Sequence, residues 1–64
     1  MNIRVQAVGD ARVPYRTEAG VLVLGRFVGR DAAGAILPDG EVVRDTSEIR
    51  RDIKRGLLAL VTEG

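Results

Sequence analysis

The sequence predicts an α+β domain: a small antiparallel β-meander or partly open barrel with one short helix at about residues 46–55. Three observations predict it. The first eight residues alternate between apolar and polar, turn residues separate short apolar runs, and acidic residues precede a basic segment near residue 50. At 64 residues the chain is a single small domain, 1–64, with an extended N-terminal arm over residues 1–19 as an option.

The N-terminal segment has the pattern of a strand with one buried face. Ile3, Val5 and Ala7 occupy alternate positions among polar residues, which is the side-chain period of a β-strand. A Gly-Asp turn at residues 9–10 ends this strand. The extended piece that follows contains Pro14, which cannot donate to a ladder, so the piece is expected at a sheet edge.

The middle of the chain predicts two further strands. Residues 21–24 form a continuous aliphatic run that needs cover on both faces, and Gly25 is a candidate bulge before the strand resumes at 26–28. Residues 38–40, Pro-Asp-Gly, form the clearest turn signal. Residues 41–44 then return as a partner strand, so 21–44 are predicted to form an antiparallel meander.

The segment after residue 44 predicts a helix. Asp45, followed by Glu48 three residues later, resembles a capping box, and both acids suit the positive end of the helix dipole. Gly56 directly follows basic residues, which is a helix stop signal, so residues 57–61 are predicted to be a last strand. The alternative is a helix that continues through Gly56 to Leu60.

Composition excludes most catalytic schemes. The chain has no His and no Cys, so it cannot build a Ser-His-Asp triad, a thiolate nucleophile, a disulfide or a Cys/His zinc site. Its acidic residues lack the spacing of a calcium loop. Paired carboxylates remain formally open, but they need a cleft that so short a chain can hardly build. We therefore predict that the protein is no enzyme, with no catalytic residue, no metal and no cofactor.

Net charge and hydropathy indicate where the protein works. The net charge is +1, which provides no strong field for nucleic acid or an anionic membrane. The uncharged apolar stretches at 20–25 and 56–61 are far shorter than the ~20 residues that cross a bilayer, and no signal-peptide pattern opens the chain. We expect synthesis in the cytoplasm and no membrane partner.

Four basic residues form a cluster on the predicted helix. Arg50 and Lys54, and likewise Arg51 and Arg55, are four residues apart and so share a face. This cluster suits an acidic partner or phosphate, or is an ordinary solvated face. No aromatic residue is interleaved for base stacking, which argues against nucleic acid as the partner.

Apolar residues exceed what so small a chain can cover. Residues 21–24 and 57–61 lack alternation, and uncovered apolar surface is typical of an interface. The alternative is that these two runs pair with each other at the centre of one sheet. The predicted interface residues are Val21, Leu22, Val23, Leu24, Phe27, Leu57, Leu58, Leu60, Arg50, Arg51, Lys54 and Arg55.

Residues 5–14 (VQAVGDARVP) combine an apolar strand, a Gly turn and an Arg-Val-Pro piece. Residues 37–43 (LPDGEVV) form a turn, and residues 45–56 (DTSEIRRDIKRG) form a capped helix with paired arginines and a terminal Gly. These three stretches resemble the corresponding parts of a family of short uncharacterised proteins from the morphogenesis gene clusters of Mu-like tailed bacteriophages. Residues 16–36 look like an insertion. The resemblance implies a context of virion assembly and no particular chemistry.

These observations together predict a non-enzymatic minor structural protein of a tailed phage particle, in the tail, neck or head. It is expected in the virion, acting through protein–protein contacts in a symmetric assembly with other virion proteins and copies of itself. One alternative is a small nucleic-acid-binding module that uses the basic helix. Another is a phage-encoded regulator of a host protein.

Overall fold

The computed structural model describes residues 1–63, and Gly64, the last residue of the predicted domain, lies outside them. The predicted α+β class is confirmed: the described residues form five strands and one helix in two antiparallel sheets, which do not close into a barrel. The elements are β1 (Asn2–Ala7), β2 (Pro14–Arg16), β3 (Leu22–Phe27), β4 (Glu41–Arg44), α1 (Ser47–Lys54) and β5 (Leu58–Glu63).

The larger sheet has three strands in the order β4-β1-β5, all antiparallel neighbours. The predicted alternation of β1 is confirmed, because Ile3, Val5 and Ala7 are buried while the residues between them are not. Residues 1–19 are therefore no extended arm, since β1 is the central strand of this sheet. A central position suits β1 because its apolar face packs into the core while both of its edges are paired.

The smaller sheet is the β2–β3 hairpin, called the ribbon below. Pro14 pairs with Phe27 and Arg16 with Leu22, with an irregularity between them where Gly25 has φ +76°. The predicted meander over residues 21–44 is wrong, since β3 pairs with β2 and β4 with β1, and a single antiparallel bridge, between Arg30 and Ile36, lies within this segment. The alternative pairing of the two apolar runs is also absent, because β3 and β5 belong to different sheets.

The helix begins one residue later than predicted. The cap is Thr46, whose hydroxyl accepts a hydrogen bond from the Ile49 amide at 3.2 Å, while Asp45 binds Arg50 instead. A threonine oxygen satisfies an early helical N–H as well as an aspartate does. The predicted stop is confirmed: Gly56 has φ +82° just past the helix, and a strand follows it. No helix within residues 1–63 is long and apolar enough to cross a membrane.

The core lies between the inner face of β1, the base of the ribbon and α1. Its fully buried members come from β1, from both sides of the ribbon's base and from the start of β5; they are Ile3, Val5, Val13, Val28 and Leu58. Five partly buried residues surround this cluster: Tyr15, Val43, Ile49, Ile53 and Leu57. So small a core leaves a marginal fold, as expected for a chain of this length.

Candidate interaction surfaces

An aliphatic patch lies at the start and middle of β3. Val21, Leu22 and Leu24 are 60 %, 44 % and 88 % exposed, although all are large apolar side chains. Among residues 1–63, β3 pairs with β2 alone, so no strand covers its other edge. Val23 and Phe27, also predicted interface residues, are half-buried. These three exposed residues, called the aliphatic patch below, are surface that the chain itself does not cover.

The second apolar run divides between core and surface. Leu58 is only 1 % exposed because β5 places it opposite Ala7 on the inner face of the sheet. Its side chain therefore belongs to the core and is not at the surface that the sequence predicted for it. Leu57 is half-buried against the same core, whereas Leu60 and Val61 are exposed. Leu57 and Leu58 therefore contribute to the core, and the rest of the run lies at the surface.

A buried arginine holds the base of the ribbon to the rest of the chain. Arg30 is 5 % exposed, and its guanidinium donates hydrogen bonds to the carbonyl oxygens of Gly9, Ala11 and Gly34. The Ala11 bonds measure 3.2 and 3.1 Å and the Gly34 bond 2.9 Å. This side chain joins the segment after β1 to the segment after β3. Sequence reasoning missed it, because a lone arginine in a glycine-rich loop has no pattern that distinguishes it.

Glu41 makes a second link between the two sheets. One carboxylate oxygen accepts from the Gly29 amide at 2.9 Å, and the other forms an ion pair with Arg26. The Arg26 guanidinium also lies 3.9 Å from the centre of the Tyr15 ring, a cation–π contact across the ribbon. The base of the ribbon is therefore well anchored, in contrast to the aliphatic patch.

The structure divides the predicted basic cluster. Arg50 is bound by its own chain: Nε donates to Asp45 at 2.8 Å, and Nη2 donates to Asp45 at 2.9 Å and to Glu63 at 2.7 Å. These hydrogen bonds lower the pKa of Asp45, and donating to both carboxylates raises the pKa of Arg50. Arg51, Lys54 and Arg55 are exposed. Three cations, not four, are therefore presented to a partner.

A groove of about 780 Å³ runs between β2, β4 and α1. Five arginines from four segments of the chain line it: Arg12, Arg16, Arg44, Arg51 and Arg55. Three acids also line it, namely Glu18, Glu48 and Asp52, so the lining is positive by two charges. We call this feature the arginine groove. The sequence showed only the helical part, because the other arginines come together through non-local strand pairing.

The groove offers charge and hydrogen bonds but no evident metal-binding set. Within the part of the chain that the structure describes, no three His, Cys, Asp or Glu residues are grouped to hold a metal ion. Asp52 is 8 % exposed and adds a carboxylate to the wall of the groove. Comparison with protein-family models, with curated proteins and with solved structures finds no match.

Proposed function

We propose that this protein is a non-enzymatic structural component that works through protein–protein contacts, with the aliphatic patch as its main contact between copies. The observation that carries the proposal is the exposure of Val21, Leu22 and Leu24 on a ribbon whose base is firmly anchored. Several large aliphatic side chains exposed on one short segment of a small protein are typical of an interaction surface. A rigid base holds the patch in one orientation, which favours a defined contact.

The energetics of such a contact are adequate. Burial stabilises by ~25 cal/mol per Å² of apolar surface, so a few hundred Å² contributes several kcal/mol before the costs of association. A standard interface covers ~800 Å² on each partner. The protein exposes 4314 Å² in all, so one interface of that size would take about a fifth of its surface. Exposed cations elsewhere on the surface, Arg51, Lys54 and Arg55, would then select the partner.

The setting that we propose is the particle of a tailed phage, in its tail, neck or head. This setting rests on the resemblance of residues 5–14, 37–43 and 45–56 to the morphogenesis-cluster family. In it the protein would repeat with the symmetry of the particle and contact other virion proteins as well as its own copies. A closed symmetric assembly uses the same patch on every subunit.

Sedimentation velocity over a range of concentrations tests the proposal. We expect the mass of the wild-type protein to rise with concentration and to keep rising at 0.5 M salt, since apolar contacts are not screened. Leu24→Asp should weaken association at least tenfold, because it places a charge in the patch without touching the core. Val8→Asp is the matched control: Val8 is exposed outside the ribbon, and its variant should associate like the wild type.

A wild-type protein that stays a thermally robust monomer at every concentration would contradict the proposal. So would a Leu24→Asp variant that associates like the Val8→Asp control. Circular dichroism of each variant shows whether a change in mass reflects a loss of the fold instead.

Phosphate binding is the second candidate, because Arg51, Lys54 and Arg55 remain exposed on one helix. Titration with a short DNA duplex distinguishes it, since binding to phosphates falls steeply between 50 and 200 mM salt. A regulator of a host protein, the third candidate, would behave as a stable monomer or dimer with one tight partner.

A further inference from the structure

We infer that the arginine groove binds an extended, acidic segment of a partner protein, which adds as a strand between β2 and β4. The inference rests on the proposed function, a protein that acts by protein–protein contact, and specifies the chemistry of one partner. Strand addition to an exposed sheet edge is a common mode of peptide recognition.

Two strand edges border the groove. β4 pairs with β1 on one side, and the Asp45 amide donates to the Met1 carbonyl at 3.0 Å in line with that ladder. Main-chain groups in an antiparallel strand point alternately to either side, so those of Val42 and Arg44 point away from β1. Both of these residues line the groove.

The edge of β2 follows the same rule. The Val13 carbonyl accepts from the Val28 amide at 2.8 Å, and the Thr17 amide donates to the Val21 carbonyl at 2.9 Å, so these groups face the β3 side. By alternation the amide and carbonyl of Arg16 face the other way, and Pro14 offers a carbonyl only. Pro14 and Arg16 line the groove as well. The unpaired edge of β2 therefore borders the groove.

The lengths of these edges set the length of the segment. β2 has three residues and β4 has four, which corresponds to ~10–13 Å of extended chain. A segment of three or four residues therefore matches the length of each edge. With it in place the order would be β3-β2-segment-β4-β1-β5, one continuous sheet in which the present edges are paired.

The charge of the groove indicates an acidic occupant. Its lining carries five arginines against three acids, an excess of two positive charges in a chain whose whole net charge is only +1. Arginine recognises carboxylates well because its planar guanidinium donates two parallel hydrogen bonds. Carboxylate side chains on the added strand would meet these guanidinium groups along both walls.

Asp52 favours a peptide over a simple polyanion. This residue is only 8 % exposed, and its carboxylate adds a negative charge to the groove wall. A phosphate chain presents acceptors alone and would be repelled by this carboxylate, whereas a peptide brings N–H donors beside its own carboxylates. The donors of a peptide would bind Asp52 while its acidic side chains meet the arginines.

Fluorescence anisotropy with a designed peptide tests the inference. The probe is a fluorescein-labelled eight-residue peptide of alternating Glu and Val. Three comparison ligands are the same peptide with Lys for Glu, the Glu-Val peptide N-methylated at alternate residues, and a single-stranded oligo-dT of eight nucleotides. We expect the Glu-Val peptide to bind at least tenfold more tightly than each of them in 50 mM salt.

Variants locate the site and separate the inference from the proposed function. The double variant Arg51→Gln/Arg55→Gln should bind the peptide at least tenfold more weakly than the wild type. Lys54→Gln alters a helical cation that does not line the groove, and its peptide affinity should stay within twofold of the wild-type value. The Leu24→Asp variant, which tests the aliphatic patch, should bind the peptide like the wild type. If the protein binds the peptide but never self-associates, the proposed contact between copies is contradicted and the inference about the groove still holds.

Three results would overturn the inference. One is no binding of the acidic peptide by folded protein. Another is equal binding of the N-methylated peptide, which cannot complete a ladder. The last is oligo-dT binding as tight as that of the peptide, which would make the groove a general polyanion site.

Discussion

The three-stranded sheet and the ribbon contain similar aliphatic residues but bury them differently. In β1 the apolar residues alternate with polar ones, and Ile3, Val5 and Ala7 all face the core. In the ribbon the aliphatic residues are consecutive, so the same alternation of side chains sends some of them outward, and Leu22 and Leu24 are exposed. A continuous apolar run in a chain this small therefore indicates surface for a partner.

The junction between the two regions explains how an uncovered ribbon keeps its place. Val13 and Val28 bring the base of the ribbon into the core, and Arg30 binds carbonyl groups on both sides of it. The anchored base and the exposed patch are only a few residues apart along β3. Four pairs of substitutions follow in order of expected effect, and the first three test this contrast.

Arg30→Met should have the largest effect, a loss of about 4 kcal/mol, because three carbonyl groups lose a buried charged donor. A fold of this size has few kcal/mol to lose, so the variant should be largely unfolded. Urea denaturation followed by circular dichroism measures it. Arg16→Met is the control, since Arg16 is exposed and binds one carbonyl, that of Gly20; its loss should stay below ~0.5 kcal/mol. Equal stability of the two variants would show that the buried bonds are unimportant.

Leu58→Ala and Leu24→Ala compare core and patch with the same chemical change. Leu58 is in the core, and its truncation should cost about 3 kcal/mol in free energy of unfolding. Leu24 is almost fully exposed in the monomer, so its truncation should cost less than ~0.5 kcal/mol at low concentration. Chemical denaturation of both variants at the same dilute concentration provides the measurement. A large loss for Leu24→Ala under those conditions would mean that the patch is covered by its own chain.

Gly29→Ala tests the close approach of the ribbon's base to β1. A Cβ at Gly29 would lie 2.7 Å from the Ala7 backbone nitrogen, whereas one at Gly20, in the hairpin turn, would meet nothing within 4 Å. Both glycines have φ near +80°, so Gly20→Ala measures the backbone strain alone. We expect Gly29→Ala to be about 2 kcal/mol less stable than Gly20→Ala, because rigid backbone must move. Thermal melts of the two variants measure this difference in stability. Similar melting temperatures would contradict a tight contact between Gly29 and β1.

Asp45→Asn should make the stability of the fold less dependent on pH. Arg50 lowers the pKa of Asp45 in the folded protein, so the ionised carboxylate stabilises the fold above its unfolded pKa near 4. That contribution is lost as the pH falls through the lower, folded pKa. Melting temperatures from about pH 6 to pH 2 should therefore fall less steeply for Asp45→Asn than for the wild type. Arg50→Gln should flatten the curve in the same way, and a wild-type slope in both variants would contradict the pairing.

Local patterns in the sequence predicted the elements better than their partners. The alternation in β1, the helix and its stop at Gly56 depend on neighbouring residues, and the structure has all three. The pairing of β3 with β2 and of β4 with β1 depends on contacts far apart in sequence, which a single pattern does not encode. The one-residue shift of the cap arose because Asp45 and Thr46 are both good capping residues.

The candidate sites follow the same division. Exposure of Val21, Leu22 and Leu24 was predictable from the lack of alternation, whereas burial of Leu58 required knowledge of its partner on β1. The i,i+4 spacing placed Arg51 and Arg55 on one face, and both line the groove. The pairing of Arg50 with Glu63 and the other arginines of the groove depend on tertiary structure, so the sequence alone could not show them.

Hydrogen–deuterium exchange at low and high protein concentration tests most directly whether the aliphatic patch joins copies of the chain. We predict that amides of β3, at residues 22–25, gain protection as concentration rises while amides of β1 exchange at unchanged rates. Sedimentation on the same samples should show the mass rising in parallel. Unchanged exchange in β3 while the mass rises would place the contact on another surface and contradict the account.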